Sequence, residues 1–149
     1  MTGFVDIQAA IVSKLIKIDP EIEINSSDIE EGFKRPCFFI DMQDVKQKNL
    51  MDKFQEKDIE FDVLYFPKHP KKNQIDLLEM RDKLTESFVE NSYFNITDDL
   101  VVQATDVNIF EIDKVLHCKF SIFISEEYLR TYEYVMEELE LKEGINVNK

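Results

Sequence analysis

The side chains in this sequence that could bind a transition metal are two histidines and two cysteines: His69, His117, Cys37 and Cys118. His117 and Cys118 are neighbours in a strand-like run, so their side chains point to opposite faces of a sheet. No C-x-x-C or H-E-x-x-H motif is present. The pattern therefore predicts no metal site, but a buried thiol and a strand histidine that faces solvent.

Glycine and carboxylate patterns do not indicate a catalytic or cofactor site either. Phosphate-binding loops and nucleophile elbows need glycine in a strand-to-helix turn. None of the three glycines, Gly3, Gly32 and Gly144, lies in a predicted turn of that kind. Adjacent carboxylates such as Asp98 and Asp99 are expected by chance among 31 acidic residues, and we interpret them as solvated turns. We therefore predict a protein that is not an enzyme and has no cofactor.

Lysines form two basic clusters that could bind a protein partner. The first lies in a predicted strand-to-helix loop with His69, and could hold an acidic surface, touch DNA, or join copies of this protein head to tail. The alternative is that its charges are only solvated. The second lies in the polar stretch 46–53, predicted to be a hairpin tip or a mobile loop. The candidate interface residues are Lys68, Lys71, Lys72, Lys46, Lys48 and Lys53.

The composition is strongly acidic. Eighteen Lys and Arg against 31 Asp and Glu give a net charge of −13 over 149 residues. Nucleic-acid binding needs an excess of basic residues, so this balance argues against it. An acidic wall would instead let DNA slide past without sticking. Hydrophobic residues make up 44%, including 12 Phe, which suffices for one domain with a sizeable core.

The cysteine count and the N-terminal sequence indicate a reducing compartment. Two cysteines are too few for a disulfide scaffold. Lys14 and Lys17 interrupt the apolar residues of the first 20 positions, which predicts an amphipathic helix and not a signal peptide. No apolar run approaches the ~20 residues of a membrane span. We expect a cytoplasmic protein with no membrane partner.

Hydrophobic spacing predicts the element order α-β-β-β-α-β-β-β-α. The first helix runs from Thr2 to Ile18 and ends at Asp19-Pro20. The second runs from about Asn73, a plausible N-cap, to Glu90, and the third lies beyond residue 127. The first helix should bury Phe4, Ile7, Ile11, Leu15 and Ile18, and the second Ile75, Leu78, Leu84 and Phe88, with Leu77 and Met80 alongside.

Six strands complete the pattern. They lie within residues 21–25, 36–42, 57–67, 92–97, 100–113 and 114–127. Strand 36–42 is apolar on both faces near its start, so we expect it to be covered on both sides there. A tight hairpin at Asp113-Lys114 should join the last two strands, although it lacks the glycine expected in such a turn.

The predicted fold class is α+β: an antiparallel or mixed sheet flanked by two helices on one face, plus a C-terminal helical tail. We expect one domain over residues 1–127. Residues 128–149 form a separate, acidic, helical extension in this interpretation. The sequence contains no internal repeat, linker or low-complexity segment.

Three segments together resemble a known family: EEGFKRPCFFID, FDVLYFPK and DKVLHCKFSIFI. In this order and at this chain length they resemble small tail proteins of Firmicutes phages and phage-like tail particles, identified as tail terminator or tail-completion proteins. The resemblance covers about residues 1–127. It implies that Gly32 to Pro36 determine how the chain enters the sheet, and that residues 37–40 are core.

The resemblance also implies a function. Such proteins would assemble as a hexameric ring on the last ring of tail tube protein, end polymerisation, and present the other face to the head or neck. In a contractile tail the ring would also contact the sheath. DNA would only pass through the lumen. The protein would be made in the host bacterial cytoplasm and then belong to the virion or tail particle.

Two other functions stay open at this point. One is a neighbouring virion role, as a head-tail connector or neck protein, which shares this size and acidity. The other is a small cytoplasmic ligand-binding domain or enzyme, which would need a deep pocket with converging polar groups.

Overall fold

The computed structural model describes residues 2–25 and 33–127, and these form the predicted α+β fold. The predicted C-terminal helix and Gly32 lie outside the described residues. The helices are α1 (Phe4–Ile18) and α2 (Gln74–Thr85), with a π-helical turn at Glu86–Glu90. The strands are β1 (Glu23–Asn25), β2 (Cys37–Leu50), β3 (Phe54–Phe66), β4 (Tyr93–Thr97), β5 (Leu100–Gln103), β6 (Thr105–Ile112) and β7 (Val115–Glu127).

The strands form a mixed five-stranded sheet in the order β1-β2-β3-β7-β6, and a two-stranded sheet of β4 and β5. β1 pairs with β2 in parallel, and the other pairs are antiparallel. β3 is paired on both sides along most of its length. Within the described residues neither helix has the length and hydropathy that a membrane span requires.

Helix α1 begins two residues later than predicted. The N–H of Gly3 donates to Oδ2 of Asp6 at 3.1 Å, which satisfies a backbone donor at the helix N-terminus. The helix ends at Ile18, before Asp19-Pro20, as predicted. Ile7, Ile11 and Leu15 are fully buried, so the spacing of three and four identified the core-facing side.

Helix α2 is shorter than predicted, and only part of the predicted set of apolar residues faces the core. The α-helix stops at Thr85 and a π-helical turn continues to Glu90. The predicted burial of Ile75 and Leu78 is wrong, since they are 70% and 52% exposed. The buried residues are Leu77, Met80, Leu84 and Phe88. The helix contains apolar residues on two sides, so spacing alone allowed two orientations.

The hairpin between β2 and β3 is longer than the sequence indicated. β2 continues to Leu50, β3 begins at Phe54, and these two residues pair. Only three residues turn the chain, and Met51 and Asp52 have positive φ angles of 56° and 55°. The side chain of Asn49 donates to Asp52 Oδ1 at 3.2 Å and supports the turn. The polar composition of residues 46–50 therefore gave no indication that they pair with β3 as a regular strand.

The predicted strand 100–113 is two strands in different sheets. The break falls at Ala104, whose N–H donates to the carbonyl of Ser92 at 2.8 Å. β5 pairs with β4, whereas β6 returns to the main sheet beside β7. The predicted hairpin at Asp113-Lys114 is confirmed. Positive φ at both residues, 51° and 65°, matches a two-residue type I′ turn without glycine.

The main core lies between the sheet and both helices, on one face as predicted. Three aromatic rings stack through its centre: Phe61 of β3 lies 5.7 Å from Phe120 of β7, which lies 4.7 Å from Phe88 of the π-helical turn. All three are buried. Phe94 and Val102 attach the small sheet to the same core. The stack thus joins the main sheet to the helical layer, and the small sheet packs against the same core.

A smaller aromatic cluster covers the opposite face of the sheet where β2 begins. Phe33, Phe39 and Phe66 meet edge to face, with centroid distances of 4.7 to 5.3 Å. Arg35 lies over the rings of Phe33 and Phe66 and donates to the carbonyl of Pro67 at 3.2 Å. Residues 37–40 are buried on both faces, which confirms the two-sided cover.

Replacing Phe39 by alanine should destabilise the protein by about 3–5 kcal/mol, because the smaller cluster loses its central ring. Phe39 is 3% exposed. The matched control is Phe123→Ala in β7, at a position 53% exposed, which should cost no more than about 1 kcal/mol. Urea melts of both variants check this. Equal midpoint shifts would show that the smaller cluster does not stabilise the fold.

Candidate protein-protein interface

The first basic cluster lies in the loop between β3 and α2. Lys68, Lys71 and Lys72 are all exposed, as predicted for charges beside two prolines. Lys114, in the β6–β7 turn, joins Lys71 and Lys72 around a shallow groove of about 470 Å³. We call these four lysines the basic end. Lys114 was not among the predicted residues.

Asn73 holds the basic end together. It occupies the N-cap position of α2, but its side chain makes no cap hydrogen bond. Its Nδ2 instead donates to the carbonyl of His69 at 3.0 Å and to that of Lys114 at 3.4 Å. The buried amide therefore links the loop to the β6–β7 turn. The prediction of Asn73 as N-cap is right in position and wrong in the role of its side chain.

The second basic cluster surrounds the tip of the β2–β3 hairpin. Lys46, Lys48 and Lys53 are exposed. The tip also presents apolar side chains to solvent: Met51 is 88% exposed, and Leu50 and Phe54 are each 40% exposed. We call Leu50, Met51 and Phe54 the apolar tip. Isolated exposed apolar residues are common, but three at one projecting turn are typical of a contact surface.

The structure does not bring the two basic clusters together. β3 has 13 residues, the apolar tip lies at its start, and the basic end lies beyond its last residue. At about 3.3 Å per residue, roughly 40 Å separate them. Lys114 could have been found from sequence, because an antiparallel β6–β7 hairpin places its turn beside the end of β3. Leu50 and Met51 lie within the stretch 46–53 predicted as a candidate interface, whereas Phe54 was not among the predicted residues.

The sheet face opposite the helices contains a paired histidine. Nδ1 of His117 lies 2.8 Å from Oδ2 of Asp62, and the side chains are 16% and 5% exposed. The ring of Phe110 stacks on the imidazole at 5.0 Å and covers it. The prediction that His117 faces solvent is therefore wrong. A carboxylate on the neighbouring strand and an aromatic on the other side enclose it.

This pair does not constitute a metal site or a reactive thiol site. Among the described residues no group of three or more His, Cys, Asp or Glu side chains could hold a metal ion. Cys118, beside His117, is buried on the helix side of the sheet, as predicted. Burial raises the pKa of the Cys118 thiol to about 12 and that of the Cys37 thiol to about 11. Both stay protonated near neutral pH, where a thiolate would be needed for nucleophilic or ligand chemistry.

Comparison with known protein families gives one match that spans most of the chain. A family described as phage tail terminator protein matches residues 6–130. The matched range includes α1 from Asp6 onward, α2, the seven strands of the described residues, the basic end and the apolar tip. A search of curated proteins finds no match.

Proposed function

The chain belongs to the phage tail terminator family, whose members are structural proteins of the tail, and we propose that it caps the tail tube as a ring. In this role it stops tube polymerisation and joins the tail to the sheath or to the head and neck. The observation that carries the proposal is the family match over residues 6–130. The separation of the apolar tip from the basic end supports it, since a capping ring needs two different faces.

Ring formation is supported by the edges of the main sheet. β1 pairs only with residues 37–39 of β2, so within the described residues most of β2 has no neighbour on its outer side. β6 forms the other edge. The two edges differ in sequence, so a contact between the edge of one copy and the other edge of the next is heterologous. When each copy is rotated about a common axis relative to the last, such contacts form a closed ring. We propose six copies per ring, as the family resemblance implies.

The apolar tip is our candidate for contact with the tube protein. It lies at the end of a hairpin, where it can insert into a partner without moving the core. Burying apolar surface gives most of the affinity in protein interfaces, and the three surrounding lysines would orient the approach. The partner surface should therefore combine an apolar hollow with an acidic rim.

The basic end is our candidate for contact between neighbouring copies. Identical surfaces of a chain with net charge −13 repel one another, and four clustered lysines offset that repulsion locally. The remaining acidity suits a lumen through which DNA passes without binding. In this proposal the protein assembles in the host cytoplasm and then stays in the tail particle.

The purified protein should gain mass when tube protein is added, since the tube end provides the template for the ring. Light scattering measures the mass, and electron microscopy shows whether tubes end in a cap of this protein. Monomers in both preparations would contradict the ring. A ring that binds neck protein but leaves tube length unchanged would instead support a head-tail connector.

Reversing Lys68, Lys71 and Lys72 to glutamate should leave the fold intact and weaken assembly. All three are exposed, so the free energy of unfolding should change by about 0.5 kcal/mol or less. Tails assembled with this variant should be overlong or uncapped in electron micrographs. The control replaces the same residues by arginine, which keeps the charge. Normal tails from the glutamate variant would rule out the basic end as an interface.

Replacing Met51 by asparagine should reduce binding to the tube without affecting stability. Asparagine tolerates the positive φ of this position, so the turn is preserved. The matched control is Val5→Ser in α1, because Val5 is 83% exposed and Met51 88%. Co-sedimentation with tubes measures binding. If both variants sediment like the wild type, the apolar tip does not contact the tube.

A further inference from the structure

A third surface lies outside both candidate interfaces. A groove of about 700 Å³ forms where α1, α2 and β4 meet. Lys14 and Lys17 of α1 and Lys83 of α2 converge on it, although Lys83 is far from the other two in the sequence. Tyr93 of β4, which is 66% exposed, gives the groove an aromatic surface, and the neighbouring Phe94 belongs to the main core. The groove therefore offers positive charge and apolar surface together.

Lys14 forms part of the groove wall and is partly withdrawn from water. Its Nζ donates to the carbonyl of Asn91 at 3.0 Å and lies 4.8 Å from the ring centroid of Phe94. Burial, and then the charge of Lys17, lower the pKa of Lys14. An anion entering the groove would relieve this repulsion between the two ammonium groups.

The groove is positive in a chain that is otherwise acidic. Glu86 is the acidic residue in its lining, so three lysines leave an excess of two positive charges. The ion pairs formed within residues 2–25 and 33–127 are His117 with Asp62 and Lys119 with Glu60, and neither uses a groove lysine. The chemistry that fits is an acidic peptide with apolar side chains.

This chain carries such a peptide. Residues 133–143 contain five glutamates and one lysine, interspersed with five apolar residues. We propose that this acidic segment docks in the groove of its own chain. Its glutamates would approach Lys17 and Lys83, whose side chains are exposed, and its apolar residues would cover Tyr93, which is 66% exposed.

Chain geometry permits docking within one molecule. Thr2 contacts Glu126 near the end of β7, with Oγ1 2.9 Å from Oε2. Lys14 lies 12 residues further along, about 18 Å at the rise of an α-helix. The six residues that follow Glu127, up to Glu133, can span up to about 20 Å. No second copy is required, so the docking can fail or succeed independently of the ring.

Charge exchange in the full-length chain tests the docking. One variant carries Lys17→Glu and Lys83→Glu, a second carries Glu137→Lys and Glu138→Lys, and a third carries all four changes. The rate of chymotrypsin cleavage after Tyr134 and Leu139 is measured by mass spectrometry, since docking protects the segment. The control variant, Lys34→Glu with Lys48→Glu, changes the net charge by the same amount as the first variant, but at exposed positions outside the groove.

The first two variants should be cleaved roughly three- to tenfold faster than wild type, as expected for losing two partly exposed ion pairs. The fourfold exchange should restore the slow rate, and the control should keep it. These rates should not depend on protein concentration. Equal rates in all variants, or protection that appears only at high concentration, would overturn docking within one chain.

Discussion

Strand β3 is the constraint on which the rest of the structure depends. It pairs with β2 and with β7 in registers that leave few of its backbone groups unpaired. Its alternation then assigns every side chain to a face: Ile59, Phe61, Val63 and Tyr65 enter the main core. A shift by one residue would expose all four and bury their charged neighbours. The register of one strand thus determines which side the helices cover.

The same register organises the opposite face. Glu60 and Asp62 alternate with the core residues, and β7 supplies their partners, Lys119 at 3.9 Å and His117 at 2.8 Å. These are diagonal cross-strand contacts, the sheet equivalent of helical pairs one turn apart. Burying Asp62 without a partner would be costly, so its pairing with His117 lets this face be partly covered.

The length of β3 also separates the candidate functional surfaces. The apolar tip lies at the start of β3, the basic end lies beyond its last residue, and the groove lies on the helical side of the sheet. Each surface includes residues that the core does not need: exposed lysines, a projecting turn, and Tyr93 of the small sheet. The proposed capping role requires different partners to be held at once, and the central strand keeps the candidate binding sites apart.

Local patterns in the sequence determined the fold class, helix α1, the buried start of β2 and the Asp113-Lys114 hairpin. In each case neighbouring residues decide the outcome, through spacing of apolar side chains or through turn geometry. The basic loop 68–72 was also found from sequence, because its lysines lie within five consecutive positions. The structure places it on the surface without testing its role.

Contacts between distant segments decided the rest. Ile75 and Leu78 have the apolarity of core residues, but the sheet contacts the other stripe of α2, so they stay exposed. The alternation of apolar residues along β7 predicts that His117 is exposed. In the structure it pairs with Asp62, which is 55 positions away in the sequence. Lys83 lines the same groove as Lys14 and Lys17 only because the fold brings residues of α1, α2 and β4 together there. Spacing along a chain specifies which faces are apolar. Only packing in three dimensions determines which apolar face is buried and which charges meet.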